Sequence, residues 1–231
     1  MAATSRRVEP EWLDELPADD PRALRSRRDL RRVNALMDNA GIVARELRRA
    51  APFGISALAE IGAGDGAFAL RLARALAPTG RGVQVTLLDR QDIVTAATAA
   101  GFAEAGWTVH AECGDVFDWL RRIPAGRFDA IVANLFLHHF DGPRLAELLA
   151  LIAERTRCFI ACEPRRSHAA LAGSRLLGLV GCNDVTRHDA VASVRAGFTG
   201  GELTALWPGD GWVLEERARG LFSHCFVARR T

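Results

Sequence analysis

The chain contains no tyrosine and no lysine. Without lysine a Schiff-base mechanism is excluded, and without tyrosine any proton transfer falls to His, Asp, Glu or Cys. All 30 basic residues are arginine, beside abundant alanine, so a compositional bias explains them and single arginines carry little weight. The five cysteines, Cys113, Cys158, Cys162, Cys182 and Cys225, are odd in number and form no CxxC pair. They read as buried thiols in a reducing cytosol, not as a zinc site or a disulfide framework. An N-terminal apolar signal stretch and an apolar run of ~18 residues are also missing, so neither secretion nor a membrane span is expected and the location is read as cytoplasmic. A net charge of +2 nominates no nucleic acid as partner.

The length of 231 residues fits one domain with appended elements, and 49% apolar with 25% charged residues is the balance of a globular protein. Residues 1–20 are polar and carry Pro10 and Pro17, which predicts a mobile arm. A helical cap is predicted over 21–52, opened by Asp20 as N-cap and Pro21 in the first turn, with Leu30, Val33, Leu36, Met37 and Val43 at helical spacing. Six arginines lie between Arg22 and Arg32. They read either as a solvated basic face or as an anion-binding face turned to a substrate carboxylate or a membrane surface.

From Ile55 onwards short apolar runs alternate with helical stretches. Strands are predicted at Ala57–Ile61, Val83–Leu88, Thr108–Glu112, Phe128–Ala133 and Cys158–Cys162. Helices are predicted at Ala67–Ala77 (closed by "PTGRG"), Ile93–Ala105, Phe117–Arg122 and Pro143–Arg155. That alternation makes an α/β protein with a parallel sheet covered by helices on both faces. About forty residues, roughly 163–207, then form a helical insert longer than an ordinary crossover. The strands Trp212–Arg217 and Phe222–Arg229 close the chain as an antiparallel hairpin.

"LAEIGAGDGAF" places Gly62, Gly64 and Gly66 between a strand and a helix, where glycine permits a sharp turn and close approach of a ligand. Glu60 and Asp65 crowd this loop with carboxylates, which suits a cationic or polyhydroxyl ligand better than a pyrophosphate. Asp89 ends the second strand in "VTLLDRQD", a position that accepts hydrogen bonds from ribose hydroxyls, and Asp115 follows the third in "CGDVFDW". Each acid alone is most simply a helix cap; three at successive strand ends beside a glycine loop indicate a nucleoside site.

Together with "FDAIVANLFLHHF", these motifs resemble the class I S-adenosylmethionine-dependent methyltransferases over about Leu58 to Cys162. The resemblance implies a doubly wound, Rossmann-like sheet of seven strands whose last strand is antiparallel, with the helical N-terminal cap and the insert after strand 5 as additions. It implies S-adenosylmethionine as cofactor and S-adenosylhomocysteine as product. Gly62, Gly64 and Gly66 would pass beneath the methionine part, Asp89 would hold the ribose, and Asp115 with Val116 would read adenine, with Glu60, Ala63 and Arg90 also at the cofactor. Asn134 and Leu135 would stand near the sulfonium. The layout is most similar to methyltransferases of quinone, phenolic and polyketide metabolites, so a small-molecule acceptor is expected, on a monomer or homodimer. A metal-dependent catechol pattern needs clustered acids at strand ends four and five; only Asn134 and Glu163 stand there, so no metal is expected.

The acceptor must then lie near Asn134–His139, under the N-terminal helix and the insert. In the insert Asp184, His188, Ala192 and Arg195 share a helical stripe, which either lines a polar pocket, with His188 as a catalytic candidate, or is a solvated face. Adjacent residues of a helical turn diverge by about 100°. At most one of His138 and His139 therefore readily faces the acceptor: His139 is the candidate base and His138 a packing or hydrogen-bonding residue counted with the substrate-binding set, the alternative being that both are structural. A protein or RNA methyltransferase and a non-catalytic cofactor-binding subunit are the alternatives.

Overall fold

The computed structural model describes residues 5–17, 19–52, 54–76 and 82–231. Residues 1–4 of the predicted arm, Ala77 and most of the "PTGRG" stop lie outside that set. The predicted alternation is present, as β1 (Ala57–Ile61), β2 (Gln84–Asp89), β3 (Thr108–Cys113), β4 (Phe128–Asn134) and β5 (Thr156–Pro164). The hairpin is β6 (Trp212–Arg219) and β7 (Ser223–Arg230). The sheet order is β3-β2-β1-β4-β5-β7-β6, with β7 antiparallel to both neighbours. Chain direction reverses its progress between β1 and β4, and that switch opens a crevice at the carboxyl edge of the sheet.

Strand alternation divides the core in two. Ala59 and Ile61 of β1, with Ile131 and Ala133 of β4, face the helices α6 (Val116–Arg122) and α7 (Gly142–Arg155), packing on Trp119, Leu120, Leu148 and Ile152. Leu58, Ala130 and Val132 face the other way, onto α3 (Asn39–Ala50), α4 (Ala67–Leu76) and α5 (Ala96–Glu104), through Val43, Leu47, Leu72 and Phe102.

The cap predicted as one helix is two. Asp20 caps α2 (Pro21–Met37) with Pro21 in its first turn, as expected. The helix then breaks at Asp38, which has φ +50, a left-handed conformation that Asp tolerates better than most residues. The break lets α3 enter the core while α2 runs outside it, which is why Leu36 is 88% exposed despite its helical spacing. The insert holds α8 (His168–Arg175), a 3-10 turn Leu176–Val180, and α9 (Asp184–Ala196). Residues 5–17, with the short helix α1 (Trp12–Glu15), lie across α9.

Cys158, Cys162 and Cys225 are buried free thiols as expected, and burial pushes Cys158 up to about 12 and Cys225 up to about 11. Cys113 departs from that expectation: it is exposed, because β3 is the edge strand of the sheet. Among the described residues no helix is long and apolar enough to cross a membrane.

Candidate active site

A cavity of about 710 Å³ opens at the carboxyl edge of β1, β2 and β4. Of the residues expected around a nucleoside cofactor, Glu60, Gly62, Ala63, Gly64, Asp89, Arg90, Asp115, Val116, Asn134 and Leu135 line it, while Gly66 does not. The loop needs its glycines. Gly62 has φ +70, and a Cβ there would sit 2.2 Å from the ring of Phe136. Asp89 holds the loop, its Oδ2 accepting the Gly64 N–H at 2.7 Å and its Oδ1 that of Gln91 at 2.9 Å. Asp115 is both a cavity residue and the cap of α6, where its Oδ1 accepts from Phe117 N and Asp118 N. Cap and site are therefore compatible readings of one carboxylate, which has about four lone-pair positions to share.

Glu60 is buried on the cavity wall, and its Oε2 has no hydrogen-bond partner among the described residues. Burial pushes its carboxyl well above the ordinary value, helped by the charges of Asp89 and Asp65 and opposed by a backbone hydrogen bond from Ala69. A buried carboxyl oxygen without a partner is costly, and a ligand ammonium would supply what it lacks. S-adenosylmethionine carries an ammonium, ribose hydroxyls and an adenine, so Glu60, Asp89 and Asp115 fit that group in order along the edge.

At the end of β4 the Asn134 Oδ1 accepts from Asn39 Nδ2 at 2.8 Å, and Asn39 Oδ1 accepts from Ser223 Oγ at 2.7 Å. Leu135 follows with φ +54, an uncommon conformation for leucine, fixed by its N–H donating to Cys162 O at 2.9 Å. Strain of this kind persists where surrounding structure enforces it, and it recurs at functional sites.

The next turn, Leu137–His139, wraps around Glu163. The fully buried Glu163 carboxylate accepts the backbone N–H groups of Phe136, Leu137 and His138, and His138 Nδ1 donates to it at 2.8 Å. His138 Nε2 lies 3.2 Å from Glu11 Oε1, and Glu11 also accepts from Ser193 Oγ. Burial alone would depress the His138 imidazole, yet its hydrogen bonds to Glu11 and Glu163 raise it to about 9. Burial likewise works against the Glu11 carboxylate, but His138 holds it down at about 2. His139 is the opposite case: burial and the neighbouring His138 charge lower its pKa. Its Nδ1 faces Asp14 Oδ2 at 3.4 Å, and burial raises Asp14. The two adjacent imidazoles are thus a charged bridge and a neutral group on one cavity wall. Ligand atoms of Glu11, His138 and His139 all lie within 4.8 Å of one another, a donor set able to take a divalent cation once His138 gives up its proton.

The stripe on α9 does not reach this cavity. Asp184 and His188 line a separate shallow cleft with Trp12, and Arg195 sits at the surface, 3.8 Å from Glu9. The helix turns Ser193 to the cavity instead, and residues 5–17 intervene between it and His188. Glu11, Asp14 and Asn39 were not singled out by sequence. Glu11 and Asp14 belong to a stretch whose local pattern is polar and proline-broken, and only the tertiary contact gives them partners. The capping of helices and strand ends likewise gives no local sign that Asn39 meets Asn134.

Sheet order and the antiparallel closing hairpin together form a Rossmann-like methyltransferase fold, with the glycine loop and strand-end acids at its carboxyl edge. Residues 58–157 match the family model described as a methyltransferase domain. No curated protein matches the chain. Among solved structures, an O-methyltransferase family protein from Burkholderia thailandensis is 16% identical with a TM-score of 0.59, over 93% of this chain and 61% of that one. This chain therefore spans under two thirds of that protein's length. The plantazolicin methyltransferase BpumL, solved with S-adenosylhomocysteine, is 12% identical with a TM-score of 0.64, over 92% of both chains. The magnesium protoporphyrin IX methyltransferase of Synechocystis PCC 6803, also solved with that product, is 14% identical with a TM-score of 0.55, over 88% of this chain and 86% of that one. Residues 58–157 thus carry a methyltransferase domain, and the chain as a whole shares the fold of these methyltransferases.

Proposed function

We propose that the protein methylates a small acceptor, at a phenolic or enolic oxygen or an activated ring carbon of a phenolic, quinone or polyketide-type metabolite. The observation that carries this reading is His139: a neutral imidazole lining the same cavity as the glycine loop and the strand-end acids, beside the rings of Phe136 and Phe140. The magnesium protoporphyrin and plantazolicin enzymes are named for acceptors that are not nucleic acids, which supports the small-molecule class. The cofactor, when bound, supplies an electrophilic methyl on sulfur. Glu60 would pair with its ammonium, Asp89 and Arg90 would hold the ribose, Asp115 and Val116 would receive the adenine, and the strained Asn134–Leu135 corner would lie near the sulfonium.

The residues of this chain then have limited chemistry to do. Aromatic walls orient a flat acceptor and exclude water, which lowers the barrier chiefly through alignment. With the donor bound to supply its methyl group, His139 would take the proton of the acceptor hydroxyl. The 5–17 segment and the 163–207 insert roof the acceptor, with His138 fixed between Glu163 and Glu11 as part of that wall. His188 and Arg195 act on the acceptor only through the segment they hold. Transfer of labelled methyl from S-adenosylmethionine to a panel of phenols and hydroxyquinones tests the proposal. Tight cofactor binding with no transfer to any small acceptor would sink it in favour of a macromolecular substrate or a non-catalytic subunit.

A further inference from the structure

The arginines of α2 remain outside the site just described. Arg25, Arg28 and Arg32 follow one another at three- and four-residue spacing, so they share a face, and all are exposed. Beside them the 3-10 turn Leu176–Val180 projects its aliphatic side chains into solvent: Leu179 is 82% exposed, Val180 70% and Leu176 57%. The turn is pinned there. Arg25 Nη2 donates to Gly181 O at 3.2 Å, Asn183 Nδ2 donates to Arg22 O at 2.9 Å, and Asn183 N donates to Asp29 Oδ2 at 3.0 Å. Arg187 lies under Gly178, where an added Cβ would meet its Nε at 3.1 Å, and Arg175 ends the helix leading into the turn. Among the acids nearby, Asp29 is buried within α2 and lies 3.9 Å from Arg32, Asp20 is committed to its own helix start, and Asp184 is exposed at the start of α9.

An aliphatic tip surrounded by guanidiniums matches one environment closely. Leucine and valine gain by leaving water for acyl chains, while arginines at the same depth meet lipid phosphates and can extend along their own apolar stems. An acidic protein would satisfy the arginines but gives no reason for a protruding aliphatic turn. We propose that this face docks the protein on an anionic membrane surface, with Leu176, Leu179 and Val180 inserted at the headgroup boundary and Arg25, Arg28 and Arg32 on the phosphates. α2 also lends Leu30, Arg31 and Asn34 to the cavity, so a docked molecule holds its cavity one helix face away from the lipid. The proposal does not depend on which acceptor the enzyme takes.

Co-sedimentation with vesicles of phosphatidylcholine, alone and mixed with phosphatidylglycerol, tests it directly. The full chain is expected to sediment with the mixed vesicles, to stay in solution with the neutral ones, and to be released by salt. Arg25→Glu with Arg28→Glu is expected to weaken the partition at least about tenfold, as is Leu179→Asp with Val180→Asp. All four positions are exposed, and unchanged cofactor affinity and melting temperature serve as the folding control. Absence of sedimentation with mixed vesicles, equal sedimentation with both kinds, or indifference to both double variants would overturn the proposal. Capture on immobilised polyglutamate without vesicle binding would instead assign the face to an acidic protein.

Discussion

The indole of Trp12 lies face to face with the imidazole of His188, ring centroids 3.9 Å apart and planes within 8° of parallel. Two further contacts fasten the same stretch, because Asp189 accepts the N–H groups of Trp12 and Leu13 at 2.9 and 3.0 Å. His188 Nδ1 is in turn 2.9 Å from Asp189 Oδ1. Upstream, Arg6 donates to the carbonyls of Ala196, His138 and Phe140. The polar stripe of α9 is therefore a cradle for residues 5–17, and those residues carry Glu11 and Asp14 to the cavity.

Trp12→Ala should loosen that cradle. The KM for the acceptor is expected to rise by about tenfold, the equivalent of ~1.4 kcal/mol, while cofactor affinity stays at its original value. Steady-state kinetics with calorimetric titration of S-adenosylhomocysteine separates the two. A matching loss of cofactor affinity would place the segment at the other end of the cavity.

His139→Ala is expected to lower kcat by roughly 10²–10⁴-fold and leave cofactor affinity intact. Because burial and the His138 charge depress the His139 imidazole, the acid limb of kcat should fall below the ordinary histidine value of 6.5. That limb should vanish in the variant. A variant with full turnover, or an unchanged pH profile, would remove His139 from the chemistry.

Stability should depend on pH through the Glu11–His138–Glu163 bridge. The folded His138 value of about 9 stands above its ordinary 6.5, so its contribution is complete below 6.5 and disappears as pH rises through about 9. Glu11 runs the other way: held at about 2 against 4.5, it contributes above 4.5 and loses that contribution as pH falls towards 2. Melting temperature should therefore be highest between about 4.5 and 6.5 as far as this bridge is concerned. Glu11→Gln should flatten both slopes, and melts across the pH range that show no flattening would contradict the assignment.

Gly62→Ala and Asp89→Ala should each weaken cofactor binding at least about tenfold, by different routes. The first places a Cβ at φ +70 and against the Phe136 ring; the second removes the acceptor of the Gly64 N–H. Titration with S-adenosylhomocysteine reads both, and wild-type affinity in either variant would count against the assigned cradle.

The sheet and its cofactor edge were legible because their signals are local. A glycine loop between a strand and a helix, and acids at the ends of the first three strands, can be seen within a few residues, and a short apolar run marks β1 at its observed boundaries. The acceptor side was not legible in the same way. Glu11 meets His138 across 127 positions and Ser193 across 182, so no window of sequence contains the pair. His188 sat on a real helical stripe, but periodicity tells which residues share a face and not what covers that face. The break at Asp38 was hidden because the residues on either side are both helical.

The cavity has two owners. Its cofactor wall is made by strand ends that the whole sheet must hold in register, so a change there disturbs the core. Its other wall, the proposed acceptor side, joins the Phe136–Phe140 turn to a thirteen-residue strip that α9 grips from outside. On the proposed reading the fold therefore separates what is transferred from what receives it. Exchanging residues 5–17 along with the α9 surface is the economical way to retarget the enzyme.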